Sequence, residues 1–264
     1  MSHKSLSREI IIIKIGSSLL INNSNIRDNW LDSLAKDIIL FSNKYHFIIV
    51  TSGAVALGCD KLSYKQRDIS IEKKQAMASI GQIYLINSYC DIFANNNLIT
   101  SQILLSYSDC KSINRKRNFQ NTIKQLLDLN IIPIINENDS VAYDEIKIGD
   151  NDTLSAYIAQ MTNARLLILL SDVDGFYSED PSINKNAKPI RFVKEIDDNI
   201  KKMASGSISN CGTGGMITKI NAAKIIEGSN CSTIVTSGLD NNCLSLLLKN
   251  KINYTIFNKR YENL

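Results

Sequence analysis

Apolar positions along this chain follow two alternating rhythms. Runs rich in aliphatic residues at Ile10–Ile15 and Phe47–Thr51 predict buried strands, and those at Leu98–Leu105, Ile131–Ile135 and Leu166–Leu170 predict further strands. Between these runs the apolar residues return every three or four positions, which is the spacing of one helix face. Trp30, Leu34, Ile38 and Phe41 predict a helix over 29–42, and longer periodic stretches predict helices over 71–95 and 112–129. A further helix opens near Asp152, which can cap it, and carries Leu154, Ile158 and Met161. Helices near 196–204 and 215–228, strands near 232–236 and 253–257, and a short hairpin around Ile146–Ile148 complete the pattern. Alternation of apolar strands with amphipathic helices implies an α/β fold with a mostly parallel sheet. No low-complexity linker divides the 264 residues, so one domain spanning 1–264 is expected.

Polar loops recur at the C-terminal ends of the predicted strands, where open α/β sheets bind ligands. Lys14 interrupts the first apolar run, and an ammonium there is costly to bury unless it meets an anion or snorkels out at the strand end. Gly16-Ser17-Ser18 follows as a tight loop whose small residues let backbone N–H groups approach a phosphate or carboxylate. Gly212-Thr213-Gly214-Gly215-Met216-Ile217-Thr218-Lys219 lacks the Walker spacing, yet a glycine-rich turn entering a helix suits phosphate, and Lys219 can lean back over it. Gly149-Asp150-Asn151-Asp152, Asn136-Glu137-Asn138-Asp139 and Ser171-Asp172 read either as turns and caps or as polar walls of a site.

Several chemistries are excluded. There is no Gly-x-Ser-x-Gly elbow, His3 and His46 are poor general bases, and Gly-x-Gly-x-x-Gly is missing after the first strand. Six widely spaced cysteines without Cys-x-x-Cys, and two histidines, make no zinc set, so no protein-held metal is expected. The run Ile10–Ile13 is cut short by Lys14, far from a signal peptide or membrane span, and a cytoplasmic chain with no membrane partner is expected. A net charge of +4, with acids and bases interleaved and only the short basic run Arg115-Lys116-Arg117, argues against a nucleic-acid partner.

Six segments together resemble the amino acid kinase family, and within it the glutamate-phosphorylating branch. They are Lys14 to Ser18, Ile49 to Val55, Ile134 to Asp139, Lys147 to Asp152, Leu170 to Gly175 and Gly212 to Lys219, in the family's order across nearly the whole chain. The resemblance implies a three-layer α/β/α sandwich and the reaction of ATP with L-glutamate to give ADP and L-glutamyl 5-phosphate, the first step toward proline. It carries ATP contacts onto Lys14, Ser171, Asp172, Thr213, Gly214, Gly215, Met216, Ile217, Thr218 and Lys219. Substrate contacts fall on Ser52, Asp139, Asp150 and Asn151. Lys14 and Lys219 become catalytic cations, organised by Asp152. The resemblance also implies Mg²⁺ on the phosphates, inhibition by proline and a homo-oligomer. Many relatives carry an additional C-terminal PUA domain, whereas this chain ends at Leu264 and is expected to hold the kinase domain alone; Ser171 stands where threonine is common. Competing readings are another small-acid kinase acting on carbamate, acetylglutamate or aspartate, and a non-catalytic sensor of ATP or an amino acid.

Overall fold

The computed structural model describes residues 8–22, 25–64, 70–141, 151–181, 183–205 and 215–258. Strand β1 (Glu9–Ile15) leads into a one-turn helix α1 (Ser17–Leu20), the ribbon β2 (Ile21–Asn22) and β3 (Asn25–Ile26), and helix α2 (Asp28–Phe41). Then come β4 (Tyr45–Val50), α3 (Ala54–Lys61), the long α4 (Ile71–Asn95), β5 (Thr100–Leu105), α5 (Tyr107–Lys111), α6 (Ile113–Asp128) and β6 (Ile132–Glu137). The second half contains α7 (Asn151–Thr162), β7 (Leu166–Ser171), β8 (Phe176–Tyr177), β9 (Pro189–Ile190), β10 (Phe192–Val193), α8 (Asp198–Ser205), α9 (Met216–Ile225), β11 (Ser232–Ser237), α10 (Cys243–Leu248) and β12 (Tyr254–Phe257).

The main sheet has the order β10-β12-β11-β7-β1-β4-β6-β5. Its central pairings are parallel, and β12 enters antiparallel to β11. Strand alternation divides the core between two faces. Ile11, Ile13 and Ile15 of β1 pack with Trp30, Leu34, Leu85 and Phe93 of α2 and α4. Ile12 points to the opposite face, with Ile123 of α6, Ile158 of α7 and Ala222 of α9. A sheet between two helical layers is the α/β/α sandwich expected. From β1 the chain builds outward through β4 on one side and returns to β7 on the other, so the C-terminal ends of β1 and β7 flank a topological switch point.

Helices α3 and α4 touch backbone to backbone. A Cβ added at Gly81 would lie 1.8 Å from the Ala54 carbonyl oxygen, and one at Gly58 would lie 1.9 Å from that of Met77. This contact pins the start of α3, and with it the loop Ser52-Gly53 after β4.

Several expectations shift. Asn136 and Glu137, read as a polar loop, remain in β6, because they pair with Leu104 and Leu105 of β5. Ser17 and Ser18 open α1 rather than a loop. The short helices α3, α5 and α10 carry too few turns for a clear 3.6-residue rhythm. The hairpin at Ile146–Ile148 lies outside the described residues.

Candidate active site

Period two along β1 settles where Lys14 goes. Ile12 faces the α7–α9 side, and Lys14, two residues on, shares that face at the strand's C-terminal end. There its Nζ lies 2.6 Å from Oδ1 of Asp152. Lys219, in the first turn or so of α9, brings its Nζ to 3.3 Å from Oδ2 of the same carboxylate. Thr218 donates its hydroxyl to Oδ2 at 2.8 Å. The Asp152 side chain is 0% exposed, and those of Lys14 and Lys219 are 9% and 6% exposed.

Asp152 does not cap its helix. It is the second residue of α7, and its carboxylate turns inward to the two lysines. Burial alone would raise its pKa, but the ammonium groups of Lys14 and Lys219 and the Thr218 hydroxyl outweigh that and bring it down to about 2. Two ammonium groups against one carboxylate leave a surplus positive charge at the edge of the sheet. That surplus favours an anion, and the buried carboxylate fixes both cations in advance of it.

The start of α9 lies beside this cluster. Gly215 is its N-cap in extended conformation and offers no side-chain cap, so the first-turn N–H groups of Met216 and Ile217 are not covered from that position. Unpaired amides at a helix N-terminus favour phosphate. At the end of β7, Ser171 is buried and donates its hydroxyl to the exposed Asp172 at 3.0 Å. Leu170 pairs with Ile15, so Ser171 stands at the same sheet end as Lys14.

A second group is built from neutral amides. Asn151, next to Asp152, donates from Nδ2 to the Thr51 carbonyl, to Ser52 Oγ at 2.8 Å and to Asn136 Oδ1 at 2.9 Å. Asn136 Nδ2 donates in turn to Gln82 Oε1 at 2.7 Å, across to α4. Thr51 is also held by the Tyr89 hydroxyl, which donates to its Oγ1 at 3.0 Å. Asp139 lines an adjoining cavity of about 290 Å³, together with Gln82, Gln102, Glu137, Ile83 and Ile86 among others. Burial pushes its carboxyl pKa up to about 6.

The structure therefore brings Lys14, Asp152, Thr218 and Lys219 into one cluster and Ser52 and Asn151 into another, joined by the peptide bond between Asn151 and Asp152. Asp139 stands in the cavity beyond Asn136. Asp150, Thr213 and Gly214 lie outside the described residues. Sequence reasoning named Asn136 only as part of a motif and missed Gln82, which sits 54 positions away on α4. No local pattern marks it. Among the described residues no group of three acidic, histidine or cysteine side chains could hold a metal ion, and no helix is long and apolar enough to cross a membrane.

The sequence profile described as "Amino acid kinase family" matches residues 9–237. The chain is 49% identical to the glutamate 5-kinase of Pelagibacter ubique over 88% of its own length, spanning 64% of that relative. It is 42% identical to the glutamate 5-kinase of Clostridium tetani over 94% of both chains. Among solved structures it is similar to the UMP kinase of Ureaplasma parvum, with a TM-score of 0.64 at 21% identity, covering 96% of this chain and 99% of that one. It is also similar to the carbamate kinase of Giardia lamblia bound to AMP-PNP, with a TM-score of 0.65 at 14% identity and coverage of 95% and 98%. At those identities the likeness concerns the fold alone.

Proposed function

The chain belongs to the amino acid kinase family, and from that premise we propose that it transfers the γ-phosphoryl group of ATP to the γ-carboxylate of L-glutamate. A glutamate carboxylate oxygen forms the new bond to Pγ, the bond from Pγ to the bridging oxygen breaks, and its electron pair leaves with ADP. The products are L-glutamyl 5-phosphate and ADP.

A glutamate side chain in water ionises at about pH 4.3, so the acceptor is already an anion at neutral pH and no general base is required. The obstacle is repulsion between an anionic acceptor and a polyanionic donor. In this reading Lys14 and Lys219 offset it, Gly215, Met216 and Ile217 offer backbone amides, and Thr218, Ser171 and Asp172 complete the nucleotide side. Asp152 is a positioning residue. With its pKa near 2 and both oxygens engaged it is ill suited to accept a proton, and its part is to hold the two cations at a fixed spacing. This donor set of ammonium groups and amides fits a magnesium nucleotide, in which Mg²⁺ screens the phosphate oxygens that carry it. Ser52 and Asn151 position the acid, and Asp139 receives its α-ammonium group. Thr213, Gly214 and Asp150 belong to the same proposal by their place in the motifs.

The observation that carries the reading is the single buried carboxylate shared by lysines from β1 and α9. Its test is hydroxamate formation from glutamate, dependent on ATP and Mg²⁺, with carbamate, acetylglutamate and aspartate as alternative acceptors. Glutamate-dependent trapping is expected, reduced by added proline and carried out by a homo-oligomer in the cytoplasm. Trapping with another acid and none with glutamate overturns the assignment.

A further inference from the structure

Gln82 belongs to neither cluster's sequence motif, yet it is the residue at which the amide network meets the cavity holding Asp139. Its orientation is dictated by the backbone. The Glu137 N–H donates to Asn136 Oδ1 at 2.9 Å, and an N–H can only donate. Asn136 must therefore turn Nδ2 toward Gln82, whose Oε1 accepts at 2.7 Å. With Oε1 committed, the group that Gln82 has left to offer the cavity is Nε2, a pure donor. Half-buried on α4, it shares that cavity with the Asp139 carboxylate, an acceptor. The cavity lining thus includes both a donor and an anionic acceptor, the complement of an α-carboxylate and an α-ammonium group.

We propose that Gln82 is a specificity residue that donates from Nε2 to the α-carboxylate of the amino-acid substrate. The inference rests on the glutamate reading above and deepens it. Asn136 is the part that sets the direction of the donor. Asn151, sharing Asn136 Oδ1, links it to the phosphoryl end through Asp152. Half-buried Ile86 and exposed Ile83 line the same cavity.

The test compares glutamate with its α-amide, isoglutamine, which keeps the γ-carboxylate but replaces the anionic α-carboxylate with a neutral group. In Gln82→Glu the side chain can still accept from Asn136 but adds a further carboxylate to the cavity lined by Glu137 and Asp139. Glutamate KM is expected to rise about 10- to 100-fold, the range of a hydrogen bond to a charged group. The kcat should change little, and the preference for glutamate over isoglutamine should collapse or reverse. Gln82→Met, which removes both functions, should raise KM without favouring isoglutamine. If both variants lose activity toward glutamate and isoglutamine in equal proportion, Gln82 is only a strut for Asn136 and the proposal falls. If the unaltered enzyme phosphorylates neither compound, the underlying glutamate reading has failed instead, a result separable from the first.

Discussion

Two neighbouring residues at the start of α7 face opposite tasks. Asp152 is fully buried, ionised and held between two cations, whereas Asn151 is half-buried, neutral and surrounded by carbonyl, hydroxyl and amide groups. In the proposed reading the phosphoryl end of the site is an electrostatic device, whose strength comes from desolvated charge fixed in place. The proposed acid end is a geometric device, in which directed hydrogen bonds would set which groups can approach. One helix N-terminus carries both, so the two ends cannot move independently.

The largest effect should come from removing the shared carboxylate. Asp152→Ala leaves two buried ammonium groups facing each other, and a loss of about 3–5 kcal/mol of stability is expected in urea unfolding, with turnover abolished. A variant as stable as the parent would mean that the lysines relax into solvent. Next is the packing that holds the acid end. Gly81→Ala drives a methyl group into the Ala54 carbonyl, and we expect about 1–3 kcal/mol of destabilisation or more, with a raised glutamate KM because Ser52 shifts with α3. An unchanged KM would uncouple the α3–α4 contact from the site.

Acidity separates the two ends. Asp139 has its pKa raised by burial to about 6, so it is neutral below that value and cannot pair with an ammonium group. Glutamate KM should therefore rise about tenfold per pH unit below 6, while kcat stays flat. The sign for stability is opposite. A raised carboxyl pKa contributes stability present below the unfolded value of 3.8 and lost as pH rises through about 6. Asp152, with its pKa lowered to about 2, contributes stability present above 3.8 and lost as pH falls through about 2. Between pH 5 and 7 only the acid end should titrate, and a kcat that fell in the same window would break the distinction. The smallest effect expected is that of Thr218→Val, which removes a hydroxyl whose one proton is shared between Asp152 and the Gly215 carbonyl and should cost about 0.5–1 kcal/mol in kcat or stability while leaving the Lys14 contact intact.

Most of the fold was legible because the strands are apolar on both faces: Ile10–Ile15 and Leu166–Leu170 could hardly be anything but central strands, and they are β1 and β7. Lys14 stood out for the same reason, being the one charge within such a run. For Asp152 the residues alone left a helix cap and a clamp for the lysines both open, and the resemblance implied the clamp, which is the arrangement seen. A carboxylate in the first turn of a helix looks like a cap, and only the approach of β1 and α9 in space turns it inward. Asn136 looked like a turn residue because polarity marks loops on average, while its amide is satisfied here within the sheet by α4 and α7. Gln82 was invisible, since a single glutamine on an amphipathic helix acquires meaning only from a partner 54 positions away.

The central claim is that Lys14, Asp152 and Lys219 act as one unit on the transferring phosphate. A double-mutant cycle on turnover tests it most directly. Lys14→Ala and Lys219→Ala should each lower kcat about a hundredfold or more while the protein stays folded. The double variant should fall little below the worse single one, because groups acting as a unit are not additive. Near-normal kcat in either single variant, or losses that multiply in full, would contradict it.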